Sequence, residues 1–539
     1  MKKRIIFACV GFLIFIGIGF CFYNYIVGLT LTNENIEIKE EFVNNYSKKT
    51  LISQILKEQK MIFNKNKIQN FILENYYYFL QQINFENSII NYADTYNESF
   101  RVLKQLKKMA KLSNRDYLEM KKYLSKTKFR ELSIKLEHLT LKNNSNDIIG
   151  VKYYLSGLVN ELNLNNNAEA SIFYEYAIKA NPYEPSYYIK YADFLYSKYR
   201  IDNAISNYEL ALYKGTWPKT KRAEQIKLKL LSKISKILIL KGEYELALQY
   251  LNALLIDAIN FNNSSYVFDS TYNIGLLNLK LSNYKNAIDS FDYAYKIAVK
   301  KLGDEEKLKV FIQLSKANKK YGDYESAKFY ALKGIDLAKK LNKLPEIATT
   351  SALACVDYKF LEKTDLMSSY CSRALYLNEI LTNITGRPEY IIQNMQILNI
   401  IGDENSKKDY YYQNAFKIIN DNNLEIQKLY LFDIAGYFDV YLEQRNLLNF
   451  KDTISCDVCR IADIKMNAGQ NSEAINILKS ANAKNREQKG KFALLIAEYE
   501  FNRGNYEEAN KWTKIAKNEL EKVFTNEHIF LKRVKMLKF

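Results

Sequence analysis

The stretch Tyr321-Gly322-Asp323-Tyr324-Glu325-Ser326-Ala327, followed by Tyr330-Ala331 and Gly334, reads as the junction of two helices. Gly322 stands where one amphipathic helix ends and a left-handed cap is needed. Tyr324 to Ala327 then open a second helix that turns a small residue back towards the first. The same phrase returns as Gly242-Glu243-Tyr244-Glu245-Leu246-Ala247, Asn283-Tyr284-Lys285-Asn286-Ala287, Gly469-Gln470-Asn471-Ser472-Glu473-Ala474 and Gly504-Asn505-Tyr506-Glu507-Glu508-Ala509. An internal repeat of helix pairs is therefore expected from Ala170 almost to the C-terminus.

A small residue at this point lets two antiparallel helices approach closely. An aromatic four residues on fills the angle to the neighbouring pair, as with Tyr174 after Ala170, Tyr208 after Ala204 and Phe291 after Ala287. Ala177, Ala211 and Ala294, each seven beyond the first alanine, keep the same face narrow. These residues resemble the tetratricopeptide repeat family, whose period is about 34 residues and whose second helix often ends in proline, as at Asn181-Pro182. The resemblance implies an all-α, right-handed solenoid.

The spacing varies along the chain. Ala170 and Ala204 are 34 residues apart, Ala204 and Ala247 are 43, and the next two steps, to Ala287 and Ala327, are 40 each. Continuing that step reaches Met367, with Ala374 seven beyond, then a point near Lys408, with Ala415 seven beyond, then Leu448; these repeats are degenerate. Ala474 and Ala509, 35 apart, restore the strong form. About ten pairs result, the central ones longer by roughly a turn in total.

The composition agrees with an ordered helical array: of 539 residues only 18 are Gly and 5 Pro, while 48% are hydrophobic. The formal net charge of +18 points to polyanions or anionic membrane surfaces. An AT-rich genome, which favours Lys, Asn, Ile and Tyr codons, accounts for the same bias.

Residues 1–29 read as a cytoplasmic tip and a membrane anchor. Lys2, Lys3 and Arg4 precede an uncharged apolar run from Ile5 to Val27, long enough to cross a bilayer of about 30 Å as a helix. No Ala-x-Ala cleavage site follows, and Phe20 stands before Cys21 where a lipoprotein signal calls for a small residue, so an uncleaved anchor is expected. The first charges beyond the run are Glu34 and Glu37, which places the N-terminus in the cytoplasm and the repeats outside the cell membrane.

Residues 30–148 carry a helical pattern, including Phe63, Ile68, Phe71, Ile72, Tyr76 and Phe79, without a repeat signature. Within them Lys104, Lys107, Lys108, Lys111, Lys121, Lys122, Lys126, Lys128 and Arg130 form a basic face, either solvated or laid on anionic lipid. Residues 149–539 hold the superhelix, ending in a basic helix.

No catalytic constellation is legible. The two histidines, His138 and His528, lie far apart, and there is no His-Glu-x-x-His, no phosphate-binding loop and no Gly-x-Ser-x-Gly elbow. No enzyme activity, cofactor, metal or specific nucleic acid is expected. Cys456 and Cys459 share one helix face, and Cys355 and Cys371 fall on the two helices of one repeat; in an oxidising compartment either pair could close, but buried free thiols are expected for these.

What remains is a surface. In tetratricopeptide proteins the first helix of each pair faces the concave groove. Counting back 14 residues from each second-helix alanine gives Lys190, Lys233, Asn273 and Gln313; 11 back gives Lys236 and Lys316; seven back gives Lys280 and Lys320. This basic, amide-bearing column suits an extended peptide or protein segment, with amides for its backbone and ammonium groups for its carboxylates. The same offsets further on give Leu353, Val356, Phe360, Ile397, Ile401, Ile434, Tyr437 and Tyr441, an apolar column that is either groove or core. The function expected is a membrane-tethered, non-catalytic protein-binding scaffold at a bacterial envelope. Two alternatives stay open: a receptor or regulator that binds a signal peptide, since the longer repeats resemble those of bacterial peptide-pheromone receptors, although those are cytoplasmic and the DNA-binding helix-turn-helix that many carry is not found here; and an ectodomain that binds envelope polyanions.

Overall fold

The structure is a computed structural model describing residues 94–141, 145–163, 167–198, 200–401, 406–421, 428, 431–432, 457–467 and 469–537. The apolar run Ile5 to Val27, the pattern from Phe63 to Phe79, and Ile434, Tyr437, Tyr441, Leu448 and Cys456 lie outside these residues. Among the described residues every regular element is a helix, and no helix is long and apolar enough to cross a membrane. The chain divides into two compact units, with the boundary between Ser270 and Thr271.

The N-terminal unit starts with a helix through residues 94–110 and two short helices, α1 (Asn114–Ser125) and α2 (Phe129–Glu137). Pairs follow: α3 (Asn146–Leu162) with α4 (Asn167–Ala180), α5 (Pro185–Ser197) with α6 (Ile201–Tyr213), and α7 (Lys221–Lys241) with α8 (Tyr244–Asn260). Helix α9 (Ser264–Lys280) contains the boundary.

From α9 the C-terminal unit continues with α10 (Tyr284–Lys301), α11 (Asp304–Tyr321) and α12 (Tyr324–Lys340). Next come α13 (Leu344–Phe360) with α14 (Thr364–Thr385), and α15 (Pro388–Ile401) with α16 (Ser406–Asp421). Further on lie α17 (Asp457–Asn467) with α18 (Asn471–Ser480), α19 (Arg486–Asn502) with α20 (Tyr506–Leu520), and a last helix, α21 (Ile529–Met536). Each unit is a helical solenoid.

The repeat alanines are where close packing demands them. Ala170, Ala204, Ala247, Ala287, Ala327, Ala474 and Ala509 have no exposed surface, and the aromatics Tyr174, Tyr208 and Phe291 are equally buried. On the facing helix the packing meets glycine: a Cβ on Gly157 would lie 2.7 Å from the Tyr174 ring, and one on Gly275 would lie 2.6 Å from that of Phe291. Gly322 caps α11 at φ 93°, in the left-handed region expected of it. In the repeat without glycine, Ser282 adopts that region, at φ 63°.

Helix lengths explain the longer period: α5 and α6 have 13 residues each, whereas α9 to α12 have 17 or 18. The degenerate repeats keep the packing register, with Ala374 and Ala415 fully buried. First helices of successive pairs touch, α11 with α13 and α13 with α15, while among the described residues second helices make no contact of comparable extent. The first helices thus line the inner side of the curve.

One expectation fails in this unit. Cys355 and Cys371 are joined in a disulfide, with Cα atoms 4.9 Å apart, rather than remaining buried free thiols; Cys459 is disulfide-bonded as well. The reason is geometric. Small residues at the contact of α13 and α14 bring the backbones to the separation a disulfide spans.

The chain end packs on the turns of its own unit. Tyr284, at the start of α10, donates its hydroxyl proton to Glu487 Oε2 at 2.6 Å and stacks on Phe524, with ring centroids 5.6 Å apart. The backbone N–H of Thr525 donates to the carbonyl of Tyr321 at 2.9 Å. Tyr284, Leu494, Leu520, Phe524, Leu531 and Val534 share one apolar cluster. Gly322 is needed here a second time, since a Cβ there would lie 2.7 Å from Thr525 Oγ1 and 2.8 Å from His528 Cβ.

Candidate functional site

In the N-terminal unit the expected lysines are engaged by their own chain. Lys190 Nζ donates to Glu161 Oε1 at 2.9 Å and to Thr95 Oγ1 at 2.6 Å, and Tyr174 donates its hydroxyl proton to the other oxygen of Glu161. One repeat later Lys233 and Tyr208 both donate to Asp193 Oδ1. Burial raises the Asp193 pKa, but Lys233 and Tyr208 together outweigh burial and hold it below the usual carboxylate range.

Each set joins three helices: the first of a pair supplies the carboxylate, the second the tyrosine, and the first of the next pair the lysine. A lysine so held keeps a buried carboxylate charged, and its charge is spent inside the solenoid. Lys236, one turn beyond Lys233, is exposed.

The sequence carries a sign of this arrangement. Lysine stands at the position 14 before the alanine where the preceding repeat has Tyr174 or Tyr208; where it has Leu251 or Phe291, the position holds Asn273 or Gln313. Without a phenol and a carboxylate to complete the set, an ammonium there would lack its partners.

In the C-terminal unit the inner face carries Asn273 and Lys280 on α9, and Gln313, Lys316 and Lys320 on α11, all solvent-accessible. Gln313 is hydrogen-bonded to Tyr272, and Asn273 and Lys280 also interact within the protein. Lys316 and Lys320 form no ion pair within 4 Å among the described residues. Crowding by the walls of the groove lowers both pKa values, and for Lys320 the attraction of Glu487 opposes that effect while Lys491 adds to it. Lys320 is exposed and yet surrounded, as expected on a concave surface.

The sequence reading missed four residues beside this column. Lys319 points towards the next pair, where its neighbour is Asp357 of α13, a carboxylate with no exposed surface and no hydrogen-bond partner among the described residues. Ser315 also faces Asp357 without completing a hydrogen bond. Burial pushes the Asp357 pKa up and that of Lys319 down, and their mutual attraction opposes both shifts. The fourth is Lys491 of α19, whose Nζ donates to Glu487 Oε1. Near it His528, buried against Phe524, has its pKa pushed down to about 4 and is neutral at pH 7.

The apolar column resolves in part. Leu353 packs with Ala331, Ile335 and Tyr358, and Ile397 packs against Cys355 and Cys371, so both belong to the core. Phe360 stacks on Tyr324 with centroids 4.5 Å apart. Among the described residues no group of three or more His, Cys, Asp or Glu side chains is placed to hold a metal ion.

No protein-family model matches the chain, and no curated protein does. Solved structures that resemble it are tetratricopeptide or related helix-pair proteins. The apo form of RapI aligns at 12% identity and TM-score 0.42, covering 80% of this chain and 98% of that one. A tetratricopeptide repeat protein from Parabacteroides merdae aligns at 16% identity and TM-score 0.37, covering 54% and 100%. The apo form of the quorum sensor NprR from B. thuringiensis aligns at 17% identity and TM-score 0.33, covering 62% and 99%. At such scores they are likenesses of repeat architecture and bring no ligand, partner or activity to this chain.

Proposed function

We propose that this chain is a non-catalytic scaffold, tethered to a bacterial cell membrane by Ile5 to Val27 with its repeats outside the cytoplasm, and that it holds a protein or peptide segment on the inner face of the C-terminal unit. The observation that carries the binding role is the pair Lys316 and Lys320, accessible on a concave face and without ion-pair partners among the described residues, in contrast to the internally engaged Lys190 and Lys233. The placement outside rests on Lys2, Lys3 and Arg4 before the apolar run and acidic residues after it. The disulfide between Cys355 and Cys371 supports it, since such bonds persist in oxidising compartments.

Protease added to intact cells, or to spheroplasts where an outer layer blocks access, is expected to digest the repeats and spare a tag fused before Met1. Crosslinking in the same cells is expected to recover a partner from outside the cytoplasm. Repeats protected until lysis would overturn the placement, and recovery of the chain alone would overturn the scaffold.

A second reading, association with anionic lipid, is favoured by one observation: Lys104, Lys108, Lys111, Lys121 and Lys122 are all exposed. Binding to anionic vesicles that falls steeply with salt, and is lost when Lys104, Lys108 and Lys111 become Glu, would support it.

A further inference from the structure

Charge is distributed unevenly along the N-terminal unit. Residues 99–130 hold 11 Lys or Arg against two acids, Asp116 and Glu119, whereas the whole chain holds 78 against 60. A codon bias towards lysine acts on every helix alike and does not explain why acids are so few in this one stretch.

Both acids are engaged within the protein. Lys135 Nζ of α2 lies 3.1 Å from Asp116 Oδ1 and 3.1 Å from Glu119 Oε2. Their other oxygens accept from Ser113 Oγ at 2.6 Å and from the Tyr123 hydroxyl at 2.9 Å. Lys107 lies over the Tyr117 ring, 4.3 Å from its centroid, which seats the preceding helix on α1, and Met120 and Leu124 are buried. A further face of α1 remains. Arg115, Leu118, Lys121 and Lys122 share it at spacings of three and four residues, and all four are exposed, Leu118 by 59%.

We propose that this face of α1 docks on an anionic phospholipid bilayer, with Arg115, Lys121 and Lys122 at the headgroup phosphates and Leu118 entering the acyl boundary. The docking rests on the lipid reading above and deepens it by naming the face and the inserted residue. Clustered bases are drawn to an anionic surface, and the paired acids set no full charge against them. A bilayer is favoured over a hydrated polyanion because of Leu118. Ringed by bases, it gains nothing from a solvated strand of phosphates, whereas at an interface its side chain leaves water between the headgroups. With one apolar residue the contact is shallow and mostly electrostatic, and therefore sensitive to salt.

The test places the full-length chain in nanodiscs of acyl-brominated phosphatidylcholine, with or without brominated phosphatidylglycerol as the anionic lipid. Bromine quenches a tryptophan that reaches the acyl chains. L118W is expected to lose its added emission in anionic discs and keep it in neutral ones, measured above the wild-type signal from Trp217 and Trp512. Salt at about 1 M, where the Debye length is about 3 Å, is expected to restore the emission. Adding K121E/K122E to L118W is expected to lower the ratio of docked to undocked chain about tenfold or more. I256W, at a position 59% exposed on α8 of the same unit, is expected to stay bright in both discs. Folding is checked for each variant by its melting curve.

Folded L118W left unquenched in anionic discs overturns the docking, as does quenching that survives K121E/K122E or that I256W shares. If wild-type binding to anionic vesicles still falls with salt and with the changes at Lys104, Lys108 and Lys111, the lipid reading outlives that failure; if it does not, both are lost. Long-chain polyphosphate that abolishes the quenching, at phosphate matched to the lipid's, overturns the assignment to a bilayer.

Discussion

Tyr284 and Glu487, separated by 203 residues, are joined by a 2.6 Å hydrogen bond from phenol to carboxylate that ties the C-terminal pair to the turn between α9 and α10. Burial raises the Glu487 pKa, but Lys491, with help from the hydroxyls of Ser282 and Tyr284, lowers it further, and the net shift is downward. A depressed carboxylate pKa contributes stability that is present above the unfolded value, about 4.3, and lost as pH falls through the folded one. Tyr284→Phe keeps the ring on Phe524 and removes the donor. It is expected to cost about 1.5–3 kcal/mol at pH 7. In chemical denaturation the gap to wild type should narrow below about pH 4; a gap that is absent at neutral pH would show the tie to be idle.

Gly275 sits under the ring of Phe291, and both are buried. Gly275→Ala gains about 1 kcal/mol of helix propensity. The added Cβ falls 2.6 Å from a ring that has no exposed surface, and such overpacking costs about 1–3 kcal/mol. Net destabilisation is therefore expected in urea melts, with partial recovery in Gly275→Ala/Phe291→Leu. A stabilised single variant would mean that the helices can separate without loss.

The disulfide closes a sequence separation of 16 residues between the two helices of one repeat. Loop-closure entropy gives about 3 kcal/mol for a crosslink of that span. Reductant should therefore lower wild-type stability by about 3 kcal/mol more than that of Cys355→Ala/Cys371→Ala, the remaining change belonging to Cys459. Equal losses in both proteins would show that the pair is not oxidised in solution.

Asp357 has a folded pKa raised by burial above its unfolded value. The folded state then holds a proton that the unfolded state has released, so stability declines as pH rises from about 4 towards neutrality. Asp357→Asn is expected to flatten that decline in denaturant midpoints measured across this range. A parallel decline in the variant would assign it to other groups.

The core was the most legible part of the sequence, because close helix packing needs the same small residue each time. Ala170, Ala204 and Ala327 could be read without knowing what faced them. Gly157 and Gly275, their counterparts on the facing helices, lack a recurring neighbourhood and passed unnoticed. The site was less legible because a lysine's role depends on its partners. Lys190 and Lys233 belong to the same column as Lys316, yet Glu161 and Asp193 lie 29 and 40 residues before them, and their meeting is a product of the fold. Counting along one helix stripe also omits the flank, which is how Lys319 was missed. Lys491 and Glu487 could not be placed at all, since their approach to α11 depends on the chain end returning to the turns around Tyr284 and Tyr321.

The most direct measurement is photo-crosslinking in cells from two positions of the full-length chain. Lys309 lies on α11 seven residues before Lys316, on the inner side, with 56% of its side chain exposed. Phe329 lies on the outer α12 and is 51% exposed. A photoreactive residue at 309 is expected to give a discrete adduct with a partner, and one at 329 is expected to give none. Adducts from 329 with none from 309 would contradict the account, since the partner would then sit on the convex face and the inner lysines would have no part in holding it.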